Sequence, residues 1–234
     1  MSASELFKTE LQTRFPTYTI QHIESTRHKN VLRLLKDGET NLIAKTIWHD
    51  SSEPLGDMGI EPRDAAYNTE VKILKMLPEW WPIHLVAHFK TEANRVIVTN
   101  EVANKPWSSY SHEKARDMQI AQQLLEQIHW LHSKKIAHCD LELKNILLTD
   151  SGSPVIIDFE KSILHATKEK MNDDYRKVLD NMKEHANTSP IGVVLRRYLA
   201  HANIYTGGKH GRNTRRQQRQ TRKQRQTRKP RQKS

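Results

Sequence analysis

Cysteine is nearly missing from this chain. Of 234 residues only Cys139 carries a thiol, so no disulfide can close within it, and a reducing compartment suits it. No run approaches the roughly eighteen consecutive apolar residues of a membrane span, and the amino end has no apolar leader. An intracellular protein, cytoplasmic or nuclear and without a membrane span, is therefore expected. Acid is absent from one stretch: residues 207–234 hold twelve of the 38 Lys and Arg and no Asp or Glu. The other 26 basic residues face all 27 acidic ones, so the net charge of +11 belongs to a basic tail on a near-neutral body. That body is long enough to bury a substantial core.

The body reads as strands first and helices later. Residues 4–14 have helical composition, with Ser4 as N-cap candidate and Pro16 as the stop. Thr17 to Glu24, Asn30 to Leu35 and Asn41 to Trp48 are β-rich, the last two joined by the hairpin signal Lys36-Asp37-Gly38-Glu39. Residues 49–60, with Pro54, Gly56 and Gly59, read as a loop, and Pro62 to Leu77 as a helix that Pro78 ends. Glu70 stands three, four and seven residues before Ile73, Leu74 and Leu77. That puts a carboxylate on the apolar face, where it needs a partner. Leu85 to Phe89 and Arg95 to Thr99 form a second hairpin, turning at Glu92-Ala93-Asn94. From His112 to Ser133 the apolar stripe of Met118, Ala121, Leu124, Leu125, Ile128 and Leu131 predicts an amphipathic helix. Two further helices are expected, from Asp173 to about His185 and from Pro190 to Ala202.

Residues 138–160 carry the chemistry. Ile146-Leu147-Leu148 and Val155-Ile156-Ile157 flank Asp150-Ser151-Gly152-Ser153-Pro154, the composition of a tight turn between two short strands. The loops around this hairpin present Asp140, then Asn145 five residues and Asp158 eighteen residues later. Two carboxylates and an amide beside buried strands suit phosphoryl transfer from a nucleotide. Mg²⁺ takes hard oxygen ligands, and a hydroxyl acceptor needs a proton acceptor nearby. Cys139 beside Asp140 invites a nucleophile reading, although a small loop residue accounts for it and no activating base is identifiable. His129 and His132 invite a metal-pair reading, but no third ligand completes a site.

The stretch resembles the catalytic and metal loops of protein kinases. His138-Cys139-Asp140-Leu141 stands for His-Arg-Asp-Leu, Asn145 holds the matching position, and Asp158-Phe159-Glu160 stands for Asp-Phe-Gly at the family's own separation. Leu42-Ile43-Ala44-Lys45 is similar to Val-Ala-Ile-Lys. The resemblance implies an α+β, bilobal protein kinase-like fold, with a small antiparallel-sheet N-lobe and a reduced, mainly helical C-lobe. Its divisions would be an N-terminal helix (1–14), N-lobe (15–101), C-lobe (102–204) and disordered basic tail (205–234). It implies ATP and Mg²⁺ as cofactors and a hydroxyl acceptor, first a serine or threonine of a protein, otherwise a small molecule. In its terms Lys45 meets the α and β phosphates, oriented by Glu70, and Asp140 takes the acceptor's proton. Asn145 and Asp158 hold Mg²⁺, and Lys144 meets the γ-phosphate. Thr99 lies at the back of the nucleotide pocket, and Val102 offers its backbone to the adenine from the hinge Thr99-Asn100-Glu101-Val102.

The chain departs from the family pattern in several places. Glu24-Ser25-Thr26-Arg27-His28-Lys29-Asn30 has no glycine where the family places a glycine-rich loop, so close backbone approach to phosphate is not expected. Ser25, Thr26 and Lys29 are the candidate substitutes. Glu142 replaces the loop lysine two places after Asp140, which is why Lys144 receives the γ-phosphate role. Cys139 for arginine removes a docking charge for a phosphorylated activation loop, and Glu160 for glycine stiffens the metal loop. No Ala-Pro-Glu follows. The abbreviated layout resembles small atypical kinases such as the KEOPS-complex kinase, in which an aspartate braces the catalytic loop. Asp174 is expected in that role, with Asp173 the alternative. The rival to an enzyme is a pseudokinase, a nucleotide-binding scaffold tethered by its tail. The tail repeats Gln-Arg-Gln-Thr-Arg-Lys at 218–223 and 224–229. Its charge density predicts salt-sensitive, non-specific contact with nucleic acid or another polyanion through residues 207–234, with no aromatic residue to stack on bases. In composition it resembles tails on proteins of large DNA viruses, which would place the protein in a virion or host cell.

Overall fold

The computed structural model describes residues 3–25, 30–38, 40–47, 62–91, 94–102, 105–106, 114–181, 193 and 196–197. The chain divides into two units, Met1–Arg196 and Arg197–Ser234, and the fold described is that of the first. Several sequence expectations lie outside the described residues: the turn at 26–29, the loop at 49–60, most of the helix at 190–202, and the tail; Ser4, expected as the N-cap, instead lies inside the first helix, which begins at Ala3.

The first lobe is a five-stranded antiparallel sheet between two helices. Its strands β1 (Thr19–Ser25), β2 (Asn30–Leu35), β3 (Leu42–Ile47), β4 (Leu85–Lys90) and β5 (Arg95–Asn100) lie in the order β1-β2-β3-β5-β4. Gly38 makes the β2–β3 turn at φ 74, a left-handed conformation that glycine adopts without a Cβ penalty. Side chains alternate along a strand, so the register sorts them onto two faces. Leu32, Leu34, Leu42, Ala44, Val96 and Val98 share one face, and helix α1 (Ala3–Arg14) covers it with fully buried Phe7 and Leu11. The amino-terminal helix is thus part of the lobe's core. Arg14 caps the packing by lying 4.1 Å from the Phe89 ring centroid. On the other face Lys45 pairs with Ile97 and Ile43 with Thr99, so Lys45 and Thr99 point the same way. Helix α2 (Pro62–Met76) packs on this side, burying Tyr67, Glu70, Val71, Ile73 and Leu74. Asp64, in its first turn, is tied to Arg95 and lies 3.5 Å from Lys90.

The second lobe is built on helix α3 (Lys114–Ser133), whose Ala121, Leu124, Leu125, Ile128 and Leu131 are buried as the stripe predicts, together with Ile120. Met118, at its edge, is exposed. The short strands are β6 (Lys105–Pro106), β7 (Ile136–Ala137), β8 (Ile146–Leu148), β9 (Pro154–Ile156) and β10 (Ile163–Leu164). They form a β6-β8-β9 ribbon and a β7–β10 pair. Sequence reading anticipates β8 and β9 but not the two-residue strands, which are too short to show a period. The outer edge of β9 is closed by one side chain. Gln127 donates to the Pro154 carbonyl at 2.5 Å and accepts from the Ile156 amide at 2.9 Å, both buried.

Helix α4 (Lys168–Asn181) begins five residues before the expected Asp173. Thr167 sets its start: the hydroxyl accepts from the Lys170 amide at 3.4 Å, an N-cap bond that satisfies one of the first turn's orphan donors. The earlier start moves Asp174 into the second turn, on the face that also buries Tyr175 and Val178. Among the described residues no helix is long and apolar enough to cross a membrane.

Replacing Gln127 by methionine keeps the volume but leaves a buried carbonyl and amide unpaired. It should lower unfolding free energy by about 2–4 kcal/mol, read from the urea midpoint at unchanged slope.

Candidate active site

Three segments far apart in sequence meet at one ammonium group. Lys45 Nζ on β3 lies 2.7 Å from Glu70 Oε2 on α2 and 2.7 Å from Asp158 Oδ1 in the loop after β9. Glu160 Oε2 stands 4.0 Å away. Burial works to lower the Lys45 pKa, but the carboxylates of Glu70, Asp158 and Glu160 outweigh it and hold the ammonium well above the ordinary lysine range. Burial pushes the Glu70 carboxyl up to about 7 against the pull of Lys45, and the charges of Asp158 and Glu160 act in the same direction as burial. Three carboxylates therefore surround one cation.

The catalytic loop is pinned from behind. Asp174, 1% exposed, accepts from the His138 amide and the Cys139 amide at 2.8 Å each, and pairs with His132 Nε2 at 2.9 Å. Cys139 is held at φ 64, a left-handed conformation that costs a non-glycine residue roughly 1–2 kcal/mol and persists only where neighbours over-determine it. Asp173, the alternative brace, instead pairs with Arg176 at 2.5 Å on the helix surface. His138 accepts from the Asp140 amide on Nδ1 at 3.2 Å and donates from Nε2 to the Ile157 carbonyl at 3.0 Å. Burial lowers its pKa, in keeping with the neutral ring these two bonds require. Its ring centroid lies 5.2 Å from that of buried Phe159, the planes tilted by 56°, and Phe159 lies 6.3 Å from fully buried Trp81. That aromatic column supports Asp158 from beneath; Asp158 itself sits at φ 66.

Asp140 and Asn145 are locked together. Asn145 Nδ2 donates to the Asp140 carbonyl at 2.8 Å and to its Oδ2 at 3.3 Å. The Ile157 amide donates to the Asn145 carbonyl at 3.0 Å, which joins the two loops next to Asp158. With its amide nitrogen engaged, Asn145 has Oδ1 left as a ligand atom. A carboxylate and an amide oxygen, beside a cluster with more acid than base, are a donor set that fits Mg²⁺.

The remaining sequence candidates fall in different places. Thr99 and Val102 are each 8% exposed, Thr99 on the Lys45 face of the sheet. The segment between them is held by a bond from the Glu101 amide to the Asn41 carbonyl at 2.7 Å and by the Arg33–Glu101 ion pair at 2.5 Å. Lys144 pairs with Glu142 at 3.0 Å, and Lys177 reaches the same carboxylate at 3.1 Å. The cation on Asp140 is instead Lys161, with Nζ 3.0 Å from Oδ2, a residue that motif matching passes over. Its one signal in the sequence is its place directly after Asp158-Phe159-Glu160. Burial pushes the Cys139 thiol up, away from the thiolate a nucleophile needs. His132 is engaged by Asp174, and among the described residues no cluster of three or more metal-ligating side chains occurs.

Comparison with known proteins agrees with this geometry. Residues 30–231 match the family model of the protein kinase domain. Mitogen-activated protein kinase kinase kinase 17 of Arabidopsis thaliana is 26% identical over 139 residues, 54% of this chain and 37% of that protein. CBL-interacting serine/threonine-protein kinase 1 of the same plant is 34% identical over 100 residues, 41% of this chain and 22% of its own. Serine/threonine-protein kinase 17A of Oryctolagus cuniculus is 26% identical over 183 residues, 70% of this chain and 45% of its own. The chain spans less than half the length of each of these relatives.

Glu70 has a pH signature. An unfolded glutamate titrates near about 4.3. With the folded value raised to about 7, the folded state binds more protons between those limits. Its stabilising share is therefore full below about pH 4 and is lost as pH rises through about 7. The stability difference between the wild type and Glu70→Gln should move against the wild type from pH 5 to pH 8 in urea titrations without nucleotide. A difference moving the opposite way would contradict this assignment.

Proposed function

The chain belongs to the protein kinase domain family, and we propose that it transfers the γ-phosphoryl group of ATP, in a Mg²⁺-dependent reaction, to a serine or threonine hydroxyl of a protein. The observation that carries this reading is the convergence of Lys45, Glu70 and Asp158 around one ion cluster, with Asn145 and Asp140 bonded to the adjoining loop. The names of the serine/threonine-kinase relatives support the choice of acceptor.

In this reading Lys45 keeps Glu70 and exchanges its contact with Asp158 for a phosphate oxygen, so the buried carboxylate orients the cation toward nucleotide. Asp158 and Asn145 Oδ1 would hold Mg²⁺, whose charge offsets that of the phosphate oxygens. Asp140 is fixed through Oδ2 by Asn145 and Lys161, which leaves Oδ1 to orient the acceptor hydroxyl and take its proton. Thr99 lines the pocket and Val102 meets the adenine ring. Positioning and charge neutralisation supply most of the catalysis, since the transferred group needs little covalent help. The layout is that of a minimal kinase, similar to the KEOPS-complex kinase in its short connector between Asp158 and α4.

One feature favours a second reading. The turn between β1 and β2 has no glycine, which weakens backbone contact to phosphate and suits a nucleotide-binding scaffold. Incubating the full chain with labelled ATP, Mg²⁺ and a mixture of proteins and small metabolites separates the readings. Label on protein serine or threonine that falls at least about 100-fold in Asp140→Ala is the expected result. ATP binding without transfer establishes the scaffold instead, and label confined to metabolites establishes a small-molecule kinase. For residues 207–234 we propose non-specific polyanion contact. Deleting them should abolish salt-sensitive binding to DNA or RNA, and unchanged binding would refute it.

A further inference from the structure

The Asp140 carboxylate has a cation that the protein kinase motifs do not provide. Lys161 Nζ lies 3.0 Å from Asp140 Oδ2, and among the described residues it is the lysine that reaches this group. Contact with Asp140 raises its pKa, so it stays charged. The other nearby lysines are engaged elsewhere: Lys45 by Glu70 and Asp158, and Lys144 and Lys177 by Glu142, which stands where a loop lysine would be.

Lys161 is also held in place through its backbone. One residue before it, Glu160 follows Phe159, which is packed on His138; one residue after it, buried Ser162 bonds the Phe159 carbonyl through its amide at 3.0 Å and the His138 carbonyl through its hydroxyl at 3.3 Å. Ile163 and Leu164 then pair with Ala137 and Ile136, just before the catalytic loop. The segment is fastened to the loop it serves on both sides, while the Lys161 side chain is 59% exposed, its stem in water rather than packed. A fixed base and a long, wet stem suit a cation that must follow charge during a reaction.

We infer that Lys161 is a catalytic residue that replaces the missing catalytic-loop lysine, bridging the Asp140 carboxylate and the γ-phosphoryl oxygens during transfer. This rests on the kinase reading above. The acceptor oxygen bonds to the γ-phosphorus as the bond from phosphorus to the β–γ bridging oxygen breaks. The bridging electron pair leaves with ADP, and the hydroxyl proton goes to Asp140 Oδ1. Lys161 changes neither protonation nor covalent state. It holds Oδ2 in the ground state and shares its charge with the phosphoryl oxygens as the transition state forms.

The test is steady-state kinetics of the full chain with labelled ATP and Mg²⁺, comparing wild type, Lys161→Ala, Lys161→Arg, Lys144→Ala and Asp140→Ala. Lys161→Ala should lower kcat by about 100-fold, the usual effect of losing one transition-state donor, with KM for ATP changed less than about threefold. Lys161→Arg should recover at least about a tenth of the lost rate, a rescue that a purely structural role would not require. Wild-type transfer that Asp140→Ala abolishes and Lys161→Ala leaves intact overturns the Lys161 assignment alone, the more so if Lys144→Ala then lowers kcat. No transfer by the wild type overturns this assignment together with the kinase reading.

Discussion

The ammonium of Lys45 is the joint on which the active arrangement depends. It draws β3, α2 and the loop after β9 to within 2.7 Å of one atom, and removing it would take the cation from the buried Glu70 carboxylate, at about 3–5 kcal/mol. Such an ion cluster is poor value for stability alone, because apolar side chains would fill the same space at less desolvation cost. Its worth lies in geometry. A carboxylate that is hard to ionise and a lysine that is hard to neutralise hold one another in a single orientation, the one the proposed phosphoryl transfer requires of the cation.

The catalytic loop is held by a different device. Cys139 is held in its left-handed conformation from beneath, through its own amide and that of His138, both bonded to buried Asp174. The column Trp81-Phe159-His138 performs the matching task for the metal loop. Each loop is strained at one residue and anchored by a buried group from another element. The two are then tied to each other by the Asn145 carbonyl and the Ile157 amide.

Much of this was legible in the sequence, for identifiable reasons. The β-rich composition of Asn30–Leu35 and Asn41–Trp48 announced β2 and β3, and the helical spacing of Glu70 to Ile73 and Leu74 demanded a partner for the glutamate. Asp140, Asn145 and Asp158 declared themselves by spacing. Other features depend on contacts no local pattern encodes. Gln127 looks like any polar residue in a helix until the open edge of β9 is set beside it. The start of α4 was hidden because Asp173 and Asp174 resemble a cap more strongly than Thr167 does, and the strands at Ile136–Ala137 and Ile163–Leu164 are too brief for periodicity. Lys161 was missed because it follows a motif instead of belonging to one, and its meaning appears only once Glu142 is seen to occupy Lys144.

The amino-terminal helix has a practical consequence for anyone handling the protein. The recognised family match begins at Asn30, yet Phe7 and Leu11 are wholly enclosed against the sheet and β1 pairs along β2. A recombinant fragment trimmed to the match would bare a greasy slab of Leu32, Leu34, Leu42 and Val98 and leave β2 as a raw, unpaired border. The smallest well-behaved piece is therefore longer than the recognised one, and affinity handles belong upstream of an intact first helix.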